Sequence, residues 1–317
     1  NLIGWLNSDK NNRENIRMLI IDDEADQASI NTNKEVRTKI NELILNLVNN
    51  RDAKGKSAVS SFKYVNYIRS KATPYANVLN EVPGKESLYP ANFIATLSVS
   101  DEYFGPQQIF GYESADEDST SYPGLNMVRL IQNDEIEIVK DIQKGNEIKI
   151  PDSLINAIYW FICGVAYMRF IHYRKPVSML VHTSRLTNAH IQMGDAIRRF
   201  FNSLGEENII AECKRIWEYE TKAFSKKDFM NQYPTYSNMS GINDYPDFKE
   251  LLPYIKELVV AGLTQLEINS DNNQRIYKTG IHLCIDNSDN NVDHSRLMYP
   301  ESWEMPCDAP AFLVIGG

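Results

Sequence analysis

The chain of 317 residues is 43% apolar and carries a formal net charge of −9 at pH 7. This length is sufficient for a large core and predicts about two domains. The acidic balance argues against a strongly basic nucleic-acid-binding module, but a local basic stripe would still allow phosphate contacts. The four cysteines are far apart in the sequence, which is typical of reduced cytoplasmic thiols and not of a disulfide framework.

The chain has no signal peptide and does not begin with methionine, so we expect it to be an excised part of a larger protein. One segment, residues 154–171, is apolar enough to imitate a membrane span. Its uninterrupted part is shorter than the roughly 20 residues that a span requires, and Asn156 and Arg169 bracket it. We therefore predict a buried core helix, no membrane contact and a cytoplasmic location.

Hydrophobic periodicity and turn residues divide the first half of the chain into strands and helices. The patterns predict a strand over 18–21, a helix of about four turns after a Thr32–Glu35 capping box, strands over 62–68 and 92–97, an acidic insertion or lid over 105–124, and short strands within 135–150.

The second half repeats this rhythm. The patterns predict a helix that Asp152 or Ser153 caps, a strand over 177–182, helices over 187–204, 206–224 and 245–263, a polar connection over 225–244, a break at Pro253, and strands over 265–269 and 311–315. Strands that alternate with helices imply an α/β fold with parallel sheets. We place a domain boundary near residue 150, which separates residues 1–150 from residues 151–317.

An acidic cluster, Asp23-Glu24-Ala25-Asp26, directly follows the first apolar strand. The carboxyl ends of parallel strands are where ligands bind in open α/β sheets. In that position we expect Asp23 to hold Mg2+ through its hydration shell and Glu24 to orient and deprotonate an attacking water. Asp26 is expected to couple this site to the second domain. The alternative interpretation is an acidic turn that caps the next helix.

Two further segments follow predicted strands. Ala72-Thr73-Pro74 lies at the end of the second strand, where Thr73 is expected to hydrogen-bond the acidic cluster; an ordinary turn before a helix that opens at Pro74 is the alternative. Thr183-Ser184-Arg185 follows a strand in the second half, and its hydroxyls suit a phosphate of a nucleic-acid backbone. The alternative there is that Thr183 or Ser184 only caps the following helix.

Other chemistries have weaker support. Glu147-Ile148-Lys149 has the Glu-x-Lys spacing of metal-dependent nucleases, with Asp134 or Asp141 as an upstream acid, but such triplets arise often by chance. The segment His282-Leu283-Cys284, together with His294 and Cys307, could in principle bind zinc, but no pair has the spacing of a zinc finger. The chain contains neither a Gly-x-Ser-x-Gly elbow nor a Gly-x-x-x-x-Gly-Lys-Ser/Thr phosphate loop.

Residues 19–32, Leu-Ile-Ile-Asp-Asp-Glu-Ala-Asp-Gln-Ala-Ser-Ile-Asn-Thr, resemble the opening of the Z-one domain family. Residues 71–79 resemble the family's Thr-Ala-Thr-Pro-x-Ala-Asn segment, with Lys71 where Thr is usual. Further similar segments are Leu88-Tyr89-Pro90, Tyr103-Phe104-Gly105, residues 180–185 and Ile315-Gly316-Gly317. Members of the family are bacterial proteins described as endonucleases and tied to superfamily-two helicase-type ATPases.

The resemblance implies an α/β fold with two RecA-like domains, each incomplete, with helical insertions. Asp23 and Glu24 then correspond to the Walker-B acids, and Ala72-Thr73-Pro74 to the loop that couples hydrolysis to nucleic-acid binding. Thr183-Ser184-Arg185 corresponds to a second-domain loop near the nucleic acid. The phosphate loop is expected upstream of residue 1, and the arginine-bearing motifs are expected downstream of residue 317.

We therefore expect the central part of a helicase-like ATPase that acts on DNA, with Mg2+ and ATP as its cofactors. The setting implied is a restriction or phage-defence system, with defence proteins as partners. The chain by itself is expected to be inactive in ATP hydrolysis. Two alternatives stay open: a metal-dependent endonuclease module, and a degenerate RecA-like scaffold that binds a partner protein.

Overall fold

The computed structural model describes residues 2–8, 13–25, 29, 37–58, 60–71, 86–98, 100, 103–113, 122–146, 149–233, 236, 239–287 and 296–316. The chain divides into two compact units, Asn1–Ser98 and Val99–Gly317. The boundary that the sequence predicts near residue 150 lies inside the second of these units.

The first unit is built around two parallel strands. Its elements in chain order are α1 (Leu2–Ser8), a 3-10 turn (Arg13–Asn15), β1 (Arg17–Asp23), α2 (Lys39–Val48) and β2 (Tyr64–Ser70). The strands β1 and β2 pair in parallel, with Asp23 opposite Ser70. Both strands, and their parallel direction, confirm the prediction from the apolar runs.

One face of this small sheet packs against the helices. Ile3 of α1, Leu47 of α2 and Phe62 form a buried cluster against that face. Because side chains alternate across a strand, the other face carries Leu19 and Ile21, which are 57% and 66% exposed. The apolar run over 18–21 thus predicts the strand correctly, although among the described residues only one of its faces is packed.

Two other predictions for this unit have different outcomes. The helix α2 begins at Lys39, with Thr38 at its N-cap, while the capping box at Thr32 and Glu35 lies outside the described residues. Residues 92–97, predicted as a third strand, are irregular. A strand requires a hydrogen-bonding partner, and no other described segment pairs with these residues.

The second unit contains a four-stranded parallel sheet. Its elements in chain order are α3 (Pro106–Phe110), β3 (Gly111–Tyr112), β4 (Tyr122–Pro123), α4 (Asn133–Gln143), α5 (Asp152–Phe170), β5 (Val177–Val181), α6 (Thr187–Ser203), α7 (Glu206–Ala223), α8 (Lys226–Gln232), a 3-10 turn (Met239–Gly241), α9 (Phe248–Ala261), β6 (Leu263–Thr264), β7 (Glu267–Ile268), β8 (Arg275–Ile276), β9 (Ile281–Asp286) and β10 (Ala311–Gly316). The parallel sheet has the strand order β5-β10-β9-β6. Mixed α/β structure with parallel sheets is therefore confirmed.

The core of this unit lies between the sheet and its helices. Side chains from α5, α6, α7 and α9 pack on one face of the sheet, against residues such as Leu283 and Leu313. A smaller cluster, which includes Cys284 and Phe312, covers the opposite face. The central strands β9 and β10 are thus buried on both faces, as parallel strands usually are.

The apolar helix predicted over 154–171 is confirmed as α5. Among the described helices it alone is long and apolar enough to cross a membrane. Its side chains nevertheless lie at the centre of the core, where Ile158, Cys163 and Val165 are fully buried. Such burial is typical of the core helix of a folded domain.

The strands predicted within 135–150 are wrong, because α4 occupies most of this segment. Its apolar residues alternate with acids at the start, which suggests a strand when read locally. Ile138, Val139 and Ile142 have helical spacing instead, and all three pack into the core of the unit. Asp134 and Asp141, the upstream acids of the nuclease hypothesis, therefore lie on a helix, and Glu147 lies outside the described residues.

Smaller differences have local causes. The helix α5 has Pro151 at its N-cap, and Glu135 accepts the backbone N–H of Ser153 at 2.8 Å. The connection over 225–244 contains α8, which Ser225 caps. Pro253 lies inside α9 without ending it, because the helix is held between α5 and α7.

Two segments near the end of the chain also differ from expectation. The strand expected over 265–269 is shorter, since only Glu267–Ile268 pairs there. The strand β9 was not predicted, because its sequence mixes polar His282 and Asp286 with apolar residues.

Candidate functional site

The acidic turn lies where the two strands of the first unit end. Asp23 is the last residue of β1. Two residues later, the backbone N–H of Ala25 donates a hydrogen bond to the carbonyl oxygen of Ser70, the last residue of β2, at 3.4 Å. Glu24 adopts a φ of 51°, in the left-handed region. The side chains of Asp23 and Glu24 are exposed. Asp26 and the Ala72-Thr73-Pro74 segment lie outside the described residues.

A third carboxylate, which the sequence did not single out, is held tightly in this turn. Asp22 accepts hydrogen bonds from the Ser29 hydroxyl at 2.8 Å and from the Tyr67 hydroxyl at 2.5 Å. Arg69 donates to the same Tyr67 oxygen at 3.1 Å. Burial and the bond to Asp22 raise the pKa of Tyr67 well above its ordinary value. The side-chain alternation along β1 could have placed Asp22 on the inner face.

This hydrogen-bonded group continues into α2. The buried side chain of Asn41 donates to Ser29 O at 2.6 Å and accepts from Arg37 at 2.6 Å. Arg37 also donates to Glu86 O at 2.7 Å. A two-pronged bond from Arg51 lowers the pKa of the Glu86 carboxyl. The acidic turn is therefore tied through polar contacts to α2 and to the segment around residue 86.

The acidic turn has the donor type that Mg2+ prefers. Mg2+ usually keeps several waters and binds one or two carboxylates directly or through water. The exposed Asp23 carboxylate at the strand end fits such a hydrated ion. Among the residues that the structure describes, no group of three histidine, cysteine, aspartate or glutamate side chains forms a complete metal-binding cluster.

The second predicted site, the loop over residues 182–186, connects β5 to α6. His182 bonds Gly316 O through Nδ1 at 2.7 Å, which joins the ends of β5 and β10. Thr183 and Arg185 are exposed, and Ser184 is half-buried. The helix that follows has Leu186 at its N-cap, without a capping side chain. Thr183 and Ser184 therefore do not fill the N-cap position itself.

The backbone of this loop is held from two sides. Gln143 of α4 donates to Thr183 O at 2.9 Å, and His190 of α6 bonds Ser184 O through Nε2 at 2.6 Å. The Ser184 hydroxyl accepts the Leu186 N–H at 3.1 Å. The sequence singled out neither Gln143 nor His190, because only the folded chain brings them to the loop.

The Z1 domain family model matches residues 153–317, slightly more than half of the 317 residues. The chain belongs to the Z1 domain family. No curated protein and no solved structure is significantly similar to it.

The Z1 segment contains one of the two candidate sites and excludes the other. It contains β5, β6, β9 and β10, and therefore the complete parallel sheet of the second unit, together with the 183–185 loop. The acidic turn of the first unit precedes the Z1 segment. The helix α4 also precedes it, although Gln143 contacts a loop inside the Z1 segment.

Proposed function

We propose that this Z1 chain contributes the hydrolysis turn and a nucleic-acid-binding loop to a superfamily-two helicase-like ATPase with two RecA-like domains. The observation that carries the proposal is the register of β1 and β2, which sets Asp23 opposite Ser70 at the carboxyl edge of a parallel pair. Ligands of open α/β sheets bind outside that edge. Two adjacent acids there suit nucleotide hydrolysis.

Each acid has a separate role in the proposal. Mg2+, when bound, neutralises charge on the phosphate oxygens. Asp23 binds waters of the ion, and Glu24 orients the attacking water and accepts its proton. Asp26 and the Ala72-Thr73-Pro74 segment transmit the state of the nucleotide. Asp22 keeps the turn in place through Ser29 and Tyr67, since both of its oxygens accept hydrogen bonds.

The 183–185 loop supplies the contact to DNA in this proposal. Its support is the exposure of Thr183 and Arg185 beside the first turn of α6. An exposed arginine and hydroxyl are common phosphate ligands. The cytoplasmic location, the restriction or phage-defence setting with its partner proteins, and the description as an endonuclease are parts of the same proposal and rest on the family resemblance.

ATP turnover by the full-length protein, measured with and without DNA, tests the hydrolysis role. We expect DNA-stimulated turnover that Glu24→Gln lowers about 100-fold or more, because the general base is lost. Turnover equal in both proteins would contradict the role of Glu24. DNA cleavage that needs no ATP and is lost in Lys149→Ala would favour the endonuclease alternative.

Binding of labelled DNA by the 317-residue chain tests the loop. We expect Arg185→Ala to weaken binding about threefold to tenfold and to reduce the salt dependence by about one charge. The matched control is Arg199→Ala, which removes the same charge from an exposed position further along α6. Equal effects of the two variants would show that only the total charge matters, and would refute the assignment.

A further inference from the structure

Two consecutive carbonyl groups of the 183–185 loop are held by side chains from two different helices. Gln143 is the last residue of α4, and its amide donates to Thr183 O. His190 lies in the first turn of α6 and bonds Ser184 O. Because a carbonyl oxygen can only accept, Nε2 of His190 carries the proton in this bond. Both holding groups are therefore donors.

The direction of these carbonyls determines where the next amide groups point. In a trans peptide, a carbonyl and the following N–H point in opposite directions, and the described residues contain no cis peptide bond. The N–H of Ser184 thus points away from Gln143, and the N–H of Arg185 points away from His190. Within the described part of the chain, neither N–H donates to another backbone atom.

The position of Gln143 is fixed by the helix that carries it. Its neighbour Ile142 is 1% exposed in the core of the unit. Just beyond it, Gly145 ends the helix with a φ of 76° and donates its N–H to Ile142 O at 2.9 Å. Because the buried Ile142 fixes this end of α4 in the core, the neighbouring side-chain amide of Gln143 reaches Thr183 O from a fixed backbone position.

We propose that Gln143 is a positioning residue for the 183–185 loop, whose backbone it holds so that the loop, with the N–H groups of Ser184 and Arg185 turned away from the groups that hold it, can contact a phosphodiester group. Backbone N–H groups, like exposed arginine and hydroxyl side chains, are common ligands of nucleic-acid phosphates. The proposal rests on the proposed DNA-binding role of the loop. It extends the functional unit to α4, which lies outside the Z1 segment.

The chemistry of glutamine suits this role. A lysine or arginine at position 143 could also donate to a carbonyl, but its positive charge would itself attract the phosphate. Glutamine donates without charge, so its removal leaves the electrostatic attraction for DNA unchanged. Any loss of affinity in a Gln143 variant must then come from the geometry of the loop, which separates a positioning role from direct phosphate contact.

The test compares Gln143→Met with Asn133→Ala, both in the 317-residue chain. Methionine keeps the length and the helix propensity but removes the donor. The control changes an exposed amide at the other end of the same helix. We expect hydrogen exchange at Leu186, whose N–H donates to the Ser184 hydroxyl, to accelerate about threefold to tenfold in Gln143→Met only, because a hydrogen bond that holds this loop is lost. DNA affinity should fall by a similar factor with an unchanged salt slope.

The outcomes separate the positioning role from the proposed function. Unchanged exchange at Leu186 overturns the positioning role, whatever the DNA result. Exchange that accelerates throughout α4 and α6 also overturns it, because Gln143 would then support only the packing of the helices. If the unaltered chain binds no DNA at low salt, the proposed function and the phosphodiester ligand fail, while the exchange result still decides whether Gln143 positions the loop.

Discussion

The carbonyl oxygen of Asp286 lies 1.9 Å from the point that a β-carbon on Gly316 would occupy. These two residues end the adjacent parallel strands β9 and β10, where they are register partners. Gly316 also has a φ of 155°, at the limit of the region that disfavours other residues. The carbonyl of Gly316 accepts a hydrogen bond from Nδ1 of His182 at 2.7 Å, so this glycine joins the ends of three strands beside the 183–185 loop.

Gly316→Ala is therefore expected to destabilise the second unit by about 1–3 kcal/mol, because a backbone clash must be relieved. The matched control is Gly164→Ala in α5, where an added β-carbon meets no atom within 4 Å. In that helix interior the change should stabilise by about 0.4–1 kcal/mol. Urea unfolding measures both values. Equal stabilities of the two variants would contradict the close approach of β9 and β10.

Tyr67→Phe is expected to destabilise the first unit by about 1–2 kcal/mol, because the Asp22 carboxyl group loses the hydrogen bond that it accepts from the Tyr67 hydroxyl. Tyr64→Phe serves as the control, since its ring lies on the exposed face of the same strand and is 58% exposed. Chemical denaturation of both variants checks the difference. A loss for Tyr64→Phe as large as that for Tyr67→Phe would argue against the role of the Asp22 contact.

The free energy of unfolding should decrease as the pH is lowered, because the imidazole of His282 is buried. Burial lowers the pKa of His282 below its ordinary value of 6.5. The folded chain therefore disfavours the charged form, and this contribution is complete above pH 6.5 and is lost as the pH falls through the ordinary pKa toward the lowered one. We expect the unfolding free energy to decrease by up to about 1.4 kcal/mol per pH unit in that range.

The variant His282→Phe tests this assignment. The imidazole stacks on Phe312 with ring centres 5.1 Å apart, so a phenyl ring keeps most of the packing. When unfolding is measured at several pH values between 7 and 5, the free energy of unfolding should depend less steeply on pH in the variant. The same slope in both proteins would assign the pH dependence to other groups.

The buried thiols should resist modification in the folded chain. Cys163 and Cys213 are fully buried, and the neighbouring Cys213 thiol, together with burial, raises the pKa of Cys163. Burial raises the pKa of Cys284 to about 12. Cys307 is only half-buried. Because the thiolate is the reactive form, a thiol reagent at neutral pH should modify Cys307 first, which mass spectrometry measures. Early modification of Cys163 would be contrary to this packing.

Local patterns predicted elements whose structure depends mainly on neighbours in the sequence. The apolar runs of β1, β5 and β10 and the long apolar segment of α5 specify a strand or helix by length and composition alone. The same reasoning failed for α4. Alternating acids and isoleucines at its start fit a strand equally well, and only packing of Ile142 against the core selects the helix.

The candidate sites divide in the same way. The acids at 22–24 could be located at the end of a strand from sequence, since they directly follow an apolar run. The sequence could not show which of these acids is held by hydrogen bonds and which are exposed, because Asp22 contacts Tyr67, a residue 45 positions away. The contact of Gln143 with Thr183 spans 40 positions and has no local signal.

The sequence by itself determined that this chain alternates strands and helices and carries acids at a strand end, because periodicity and turn chemistry act between near neighbours. Only the tertiary structure decided that hydrogen bonds hold the side chain of Asp22 while those of Asp23 and Glu24 are exposed. It also decided that Gln143 of α4 contacts the 183–185 loop of the Z1 segment. Such contacts depend on the path of the backbone in space, which brings together side chains that no local pattern relates.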